Sequence, residues 1–117
     1  IDVFNKGNHI RDFTYVDDIV ESIYKILNKK EKKKIYKNYN LGNGKKIKLL
    51  SYINLIEKYL NKKSIKKYLP LQKGDVIKTH CNNNLLNKDY RFKPKTDVET
   101  GVRKFLQWYL SYYKTKK

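Results

Sequence analysis

The chain has 117 residues, 39% of them hydrophobic and 14% aromatic, and carries a formal net charge of +17 at pH 7. That length bounds it to one domain with a modest core, and the apolar content excludes wholesale disorder. No apolar run approaches a membrane span, no signal-peptide pattern opens the chain, and a single cysteine, Cys81, excludes an internal disulfide or a multi-cysteine zinc site, so a cytoplasmic setting is expected.

The charge taken alone fits a nucleic-acid-binding module. Its distribution argues otherwise. Lysines occupy every loop and most helix faces, with one dense run from Lys29 to Lys37 that reads as a solvated linker. Nucleic acid is therefore not the expected partner. Of the 28 basic residues only Arg11, Arg91 and Arg103 are arginine. A chain that uses lysine by default and arginine at position 11 has a planar donor fork there, which matches carboxylate and phosphate geometry as an ammonium does not.

In chain order, Ile1 to Phe4 reads as a short strand, Asn5 to Asn8 as a turn, and Asp12 to Val16 as a second strand on its aromatic and β-branched content. Asp17 and Asp18 are expected to cap and charge the start of a helix that runs to about Asn28, with Ile19, Val20, Ile23, Ile26 and Leu27 at helical spacing. Ile35 to Leu41 reads as a strand ended by a tight Gly42-Asn43-Gly44 turn. A helix over Leu49 to Asn61 buries Leu49, Tyr52, Ile53, Ile56, Tyr59 and Leu60. Ile65 to Leu69 is extended up to Pro70, Leu71 to Asp75 is a loop, Val76 to Cys81 is a further candidate strand, and Asn82 to Lys88 is a short helix or turn. Thr96-Asp97-Val98-Glu99 has the form of a capping box before a last helix with Val98, Val102, Phe105, Leu106, Tyr109 and Leu110 on one face. The tail from Lys114 to Lys117 is expected to fray. The pattern is mixed α/β, with short strands and three sizeable helices.

Local chemistry offers few catalytic candidates. Leu41-Gly42-Asn43-Gly44 lacks the third glycine and the immediate helix that a dinucleotide fingerprint needs. Tyr59 and Lys63 are four apart, as in a proton-transfer pair. With eleven tyrosines in a lysine-rich chain the spacing arises by chance, and Tyr113 with Lys117 repeats it. His9 and His80 have no carboxylate or cysteine at metal spacing apart from Cys81 beside His80, so no metal is expected. Lys73-Gly74-Asp75 is a loop whose aspartate can accept two hydroxyls of a cis-diol such as a ribose; on local grounds alone a simple turn with a solvent-exposed aspartate is the favoured reading.

Five segments in order carry a family resemblance: Val3-Phe4-Asn5; Arg11-Asp12-Phe13-Thr14-Tyr15-Val16-Asp17-Asp18-Ile19-Val20-Glu21; Tyr39-Asn40-Leu41-Gly42-Asn43; Leu69-Pro70-Leu71-Gln72-Lys73-Gly74-Asp75-Val76; and Phe92-Lys93-Pro94-Lys95-Thr96, completed by the helix with Trp108-Tyr109. Together they resemble the C-terminal portion of extended short-chain dehydrogenase/reductase sugar-nucleotide epimerases. Within that family they are similar to UDP-glucuronate 4-epimerases of capsule and lipopolysaccharide synthesis. The resemblance covers essentially the whole chain. It implies an α/β, Rossmann-type fold of which residues 1–117 form the substrate-binding, UDP-sugar portion.

The resemblance also assigns roles. Arg11 would bind a phosphate of UDP, Phe4 would lie against the uracil ring, backbone around Asp2 would hydrogen-bond the base, Asp75 would hold the uridine ribose, and Ile47 would be an apolar nucleotide contact. Gln72 stands where UDP-galactose epimerases have a second phosphate-binding arginine, which points to the glucuronate branch. Asn82 and Asn84 replace the usual acidic residues, and Arg91 replaces a glycine that ends the short helix. The family's Gly-rich NAD loop and catalytic Tyr and Lys precede the point matched by Ile1. NAD is thus the family's cofactor but is not expected to bind these residues alone. The expected state is inactive unless joined by an NAD-binding half, encoded separately or not; the alternative is a decayed remnant.

Overall fold

The computed structural model describes residues 1–29 and 36–114. Very short strands and longer helices alternate in it. Strand β1 (Asp2–Val3) pairs in parallel with β4 (Lys67–Tyr68), Asp2 facing Lys67 and Val3 facing Tyr68. Strand β2 (Ile10–Arg11) pairs antiparallel with β3 (Ile47–Lys48), Ile10 facing Lys48 and Arg11 facing Ile47. The three long helices are α1 (Val16–Asn28), α2 (Leu49–Leu60) and α4 (Val98–Tyr112); the short α3 (Asn84–Tyr90) lies between α2 and α4 in sequence.

Several expectations are corrected. The second strand is Ile10–Arg11, and residues 12–15 are irregular because the Asp12 side chain is committed to three backbone N–H groups of other loops. Asp17 and Asp18 do not cap α1: Tyr15 occupies the N-cap without a side-chain bond, and both aspartates sit in the first turn. Asp18 is buried and accepts from the backbone N–H of Lys95 at 3.2 Å and of Thr96 at 3.0 Å, so it ties the approach to α4 onto α1. The capping box gives way to a simpler cap. Asp97, not Thr96, is the N-cap of α4 and accepts from the Thr100 N–H at 2.9 Å, while Glu99 turns to Lys58 and Tyr59 of α2 at 2.7 Å each.

Residues 36–41 form no strand; Ile35 lies outside the described residues. Val76 to Cys81 contributes only an isolated bridge, Lys78 to Ile10. The Gly42 turn is set by close approach: a Cβ there would fall 2.4 Å from Cys81 Cβ. Arg91 does occupy the glycine-favoured position at the end of α3, with φ 49°.

The buried apolar core is small: Val3, Leu86, Phe92, Val102 and Leu106. The α2–α4 packing is extended by Phe13, stacked on Tyr52 of α2 with ring centroids 3.9 Å apart. The molecule is a thin slab, 55 × 37 × 18 Å. Its radius of gyration is 17.4 Å, against roughly 13 Å for a compact domain of this length. A slab leaves apolar surface in water: Val16, Val20, Ile23, Tyr24 and Leu27 on α1, and Phe105, Trp108, Tyr109, Tyr112 and Tyr113 along α4 and its end, are all exposed.

Candidate functional site

Three segments distant in sequence are joined at β2. The N–H of Ile10 donates to the Ile77 carbonyl at 3.0 Å, and the Thr79 N–H donates to the Ile10 carbonyl at 3.1 Å, so residues 77–79 run beside β2. This brings in the preceding loop. Its turn is closed by the Asp75 N–H on the Gln72 carbonyl at 3.2 Å, and it passes through Gly74 at φ +81°, a conformation that side-chain-bearing residues rarely adopt. On the other flank, Ile47 of β3 lies in register with Arg11.

Arg11 is clamped. Its Nη1 donates to the carbonyls of Ile10 and Ile77, both at 3.1 Å, and its Nη2 donates to Asp75 Oδ1 at 3.0 Å. The Arg11 and Asp75 side chains retain 27% and 29% of their exposure, so the pair is held yet reachable. The aspartate's second oxygen faces His9, with Nε2 3.0 Å from Oδ2. His9 itself is buried. The arrangement is a fixed cation, an adjacent carboxylate and an apolar neighbour on one open edge, which is what recognition of an anion joined to a polyol requires.

Of the six residues expected at the site, Arg11, Ile47 and Asp75 are brought together directly. Asp2, Phe4 and Gln72 share the same strip through backbone alone. The Leu69 N–H donates to the Val3 carbonyl at 2.9 Å and the Lys6 N–H to the Leu69 carbonyl at 3.1 Å, which lays the start of the Leu69–Asp75 stretch beside Asp2 to Lys6. Among the described residues no side-chain hydrogen bond or ion pair joins Asp2 or Gln72 to Arg11 or Asp75. Two clefts among the described residues lie elsewhere. One of about 250 Å³ lies between Phe13, Tyr15, Tyr52, Val98, Val102 and Phe105, and one of about 420 Å³ lies against Asp12, Tyr39, Gly42, His80 and Cys81. Neither contains a predicted site residue.

Two residues of the site were not assigned from sequence. His9 is one; it stands two positions before Arg11, the spacing that puts side chains on one face of an extended segment, and that spacing was the available signal. Asp12 is the other. Its Oδ1 accepts from the Asn43 N–H at 3.0 Å and its Oδ2 from the Gly44 and Cys81 N–H groups at 2.9 Å each, so it fixes the residue next to Arg11 against two other loops.

The side chains considered for catalysis are engaged otherwise. The Tyr59 hydroxyl donates to Glu99, and that bond raises its pKa above the ordinary range, the opposite of an activated tyrosine; Lys63 goes to Glu57 instead. Burial, with the Asp12 charge, pushes the Cys81 thiol up, away from a thiolate nucleophile. Among the described residues no three His, Cys, Asp or Glu side chains gather as metal ligands. The Gly42-Asn43-Gly44 stretch does not fit a dinucleotide pyrophosphate. The N–H groups that would cradle it, those of Asn43 and Gly44, already serve the Asp12 carboxylate, which would also repel it.

The fold is that of an α/β, Rossmann-type segment, and comparison with known proteins says what it resembles. Residues 1–42 match the NAD dependent epimerase/dehydratase family. Protein CapI of Staphylococcus aureus is 43% identical over 129 residues, covering 97% of this chain and 39% of that protein. UDP-glucuronate 4-epimerase 5 of Arabidopsis thaliana is 39% identical over 120 residues, covering 93% and 28%. The crystal structure of UDP-glucuronic acid 4-epimerase from Bacillus cereus, in complex with UDP-glucuronic acid and NAD, shares the fold with a TM-score of 0.83 at 24% identity, over 96% of this chain and 35% of that one. The chain is thus similar, over nearly all of its length, to members of the NAD dependent epimerase/dehydratase family, and it spans between about a quarter and two-fifths of the length of these relatives. No helix among the described residues is long and apolar enough to cross a membrane.

Proposed function

We propose that residues 1–117 are the UDP-sugar-binding portion of a UDP-glucuronate 4-epimerase-like protein of surface-polysaccharide synthesis. The observation that carries this reading is the meeting of Arg11 with Asp75, 64 positions away in sequence, at 3.0 Å on a partly exposed edge. Arg11 takes a phosphate of the diphosphate through its fork. Asp75 accepts the ribose hydroxyls, Ile47 packs against the nucleotide, Phe4 and the backbone at Asp2 receive the uracil, and Gln72 offers a neutral contact to the second phosphate. The exposed apolar face of α1 supports a further element of the reading: these residues work packed on an NAD-binding part, in the same polypeptide or a separate one.

Oxidation and reduction at the sugar C4 require NAD, and the Gly42-Asn43-Gly44 turn, whose N–H groups serve Asp12, does not suit its pyrophosphate, so this reading assigns the redox step to residues outside these 117. The test is direct. The isolated chain binds UDP but does not interconvert UDP-glucuronate and UDP-galacturonate when NAD is added; interconversion would overturn the division of labour. An intact reading frame beside this one, encoding a Gly-rich loop and a Tyr-x-x-x-Lys pair, would support a two-piece enzyme, and stop codons there would support a remnant.

A further inference from the structure

We propose that His9 is a positioning residue for Asp75: when a diphosphate takes the Arg11 fork, the Asp75 carboxylate passes from Arg11 to His9, which then holds it towards the ribose diol. This rests on the reading of Arg11 and Asp75 given above and concerns a residue to which that reading assigns nothing.

The first observation is an unsatisfied nitrogen. His9 is 3% exposed, and its Nε2 is fully buried without a hydrogen bond, although Asp75 Oδ2 is only 3.0 Å away. The distance is right and the angle is wrong. A buried polar atom without a partner is costly and rare, so one that faces a carboxylate at contact distance calls for a reason. The reason is the neighbour. Arg11 Nη2 holds Asp75 Oδ1 at 3.0 Å and sets the plane of the carboxylate.

The second observation is that Arg11 cannot follow the carboxylate. Its Nη1 is fixed by the carbonyls of Ile10 and Ile77, both on the backbone that zips residues 77–79 to β2. Asp75 sits on a turn through Gly74, where an added Cβ would meet nothing within 4 Å, so the turn has room to move. An incoming diphosphate competes for Nη2 with more negative charge than one carboxylate carries. Displaced from Arg11, Asp75 needs only a rotation to accept from Nε2–H of His9 with good alignment. One lone-pair direction of Oδ2 is then used, and the remaining directions on both oxygens are free for two hydroxyls. Phosphate binding thereby prepares the ribose subsite. If His9 were only a packed core residue, its Nε2 would stay unpartnered whatever bound to Arg11.

The chain contains two histidines, so its imidazole spectrum is simple. The long-range ¹H–¹⁵N spectrum of the unmutated protein is recorded at fixed pH, with His80→Gln used for assignment, and inorganic pyrophosphate is added. The expected result is that the His9 Nε2 resonance moves to the hydrogen-bonded donor position in step with pyrophosphate binding, although the anion itself does not reach His9. A His9 resonance unmoved at saturation would overturn the proposal. A second measurement uses calorimetric titration with UDP and 2′,3′-dideoxy-UDP. His9→Phe, a ring without a donor, should reduce the preference for UDP over the dideoxy nucleotide by about tenfold, the size of one lost hydrogen bond to a charged group, and His9→Gln should restore most of it. Equal preference in the wild type and both variants would also overturn it. Failure of the wild type to bind either pyrophosphate or UDP would instead remove the UDP-site reading, and the His9 role with it.

Discussion

Replacing Asp12 by alanine should cost this protein much of its stability. The Asp12 side chain is 7% exposed and accepts three backbone N–H bonds, from Asn43, Gly44 and Cys81. Asn43 has a second acceptor in Thr14 Oγ1 at 3.0 Å, so the substitution orphans two donors, those of Gly44 and Cys81. A hydrogen bond to a charged group contributes about 1.5–3 kcal/mol, and an unsatisfied buried N–H costs a similar amount, so the expected loss is about 3–4 kcal/mol. Small domains have about 5–15 kcal/mol in total, and a slab with so small a core belongs at the low end. In urea, with a slope of about 1–1.5 kcal/mol/M for a chain of this size, the unfolding midpoint should fall by about 2–4 M. Asp12→Asn keeps one accepting oxygen but presents an NH₂ group to facing N–H donors, so it should fall in between. The assay is equilibrium urea unfolding followed by Trp108 fluorescence and far-UV circular dichroism. An alanine variant within about 0.5 M of the wild type would refute the view that this carboxylate joins the three loops.

Arg91→Gly should stabilise the protein by about 1 kcal/mol, because the φ of 49° at the end of α3 strains any residue with a Cβ. A thermal melt should rise by about 4–8 °C, and a lower melting point would contradict the reading. Glu57 is buried, held by Lys66, Ser64 and Lys63, and its pKa is lowered from 4.5 to about 2, chiefly by the Lys66 hydrogen bond and then by Ser64. Because the folded value lies below the unfolded one, its stabilisation is fully present above pH 4.5 and is lost as the pH falls towards 2. Urea midpoints measured between pH 6 and pH 2 should therefore fall more steeply for the wild type than for Glu57→Gln; parallel curves would count against it.

The helices were legible because their apolar spacing survives in the structure: α1, α2 and α4 fall where Ile19 to Leu27, Leu49 to Leu60 and Val98 to Leu110 repeat. The strands were less legible. Each is two residues long, too short for any alternation to register, and each is defined by a partner elsewhere in the chain. The three charged residues misread or unassigned from sequence failed for one reason. Asp12, Asp18 and Glu99 were judged by their local neighbours, yet their partners lie 31 to 78 positions away. Of the site, Arg11 and Asp75 were legible as chemical types and through the family resemblance. Their meeting was not, because it depends on the pairing of residues 77–79 with β2. His9 was read as an isolated histidine since the sequence gives no hint that a loop 66 positions on would bring a carboxylate to its ring.

The central claim is that Arg11 anchors the diphosphate of a UDP-sugar. Calorimetric titration of UDP into the wild-type chain and into Arg11→Ala tests it most directly, with Arg11→Lys as the charge-conserving control. Saturable binding to the wild type, none to the alanine variant and weakened binding to the lysine variant, which lacks the fork, are expected. Binding of equal strength to wild type and Arg11→Ala, or none to the wild type, would contradict it.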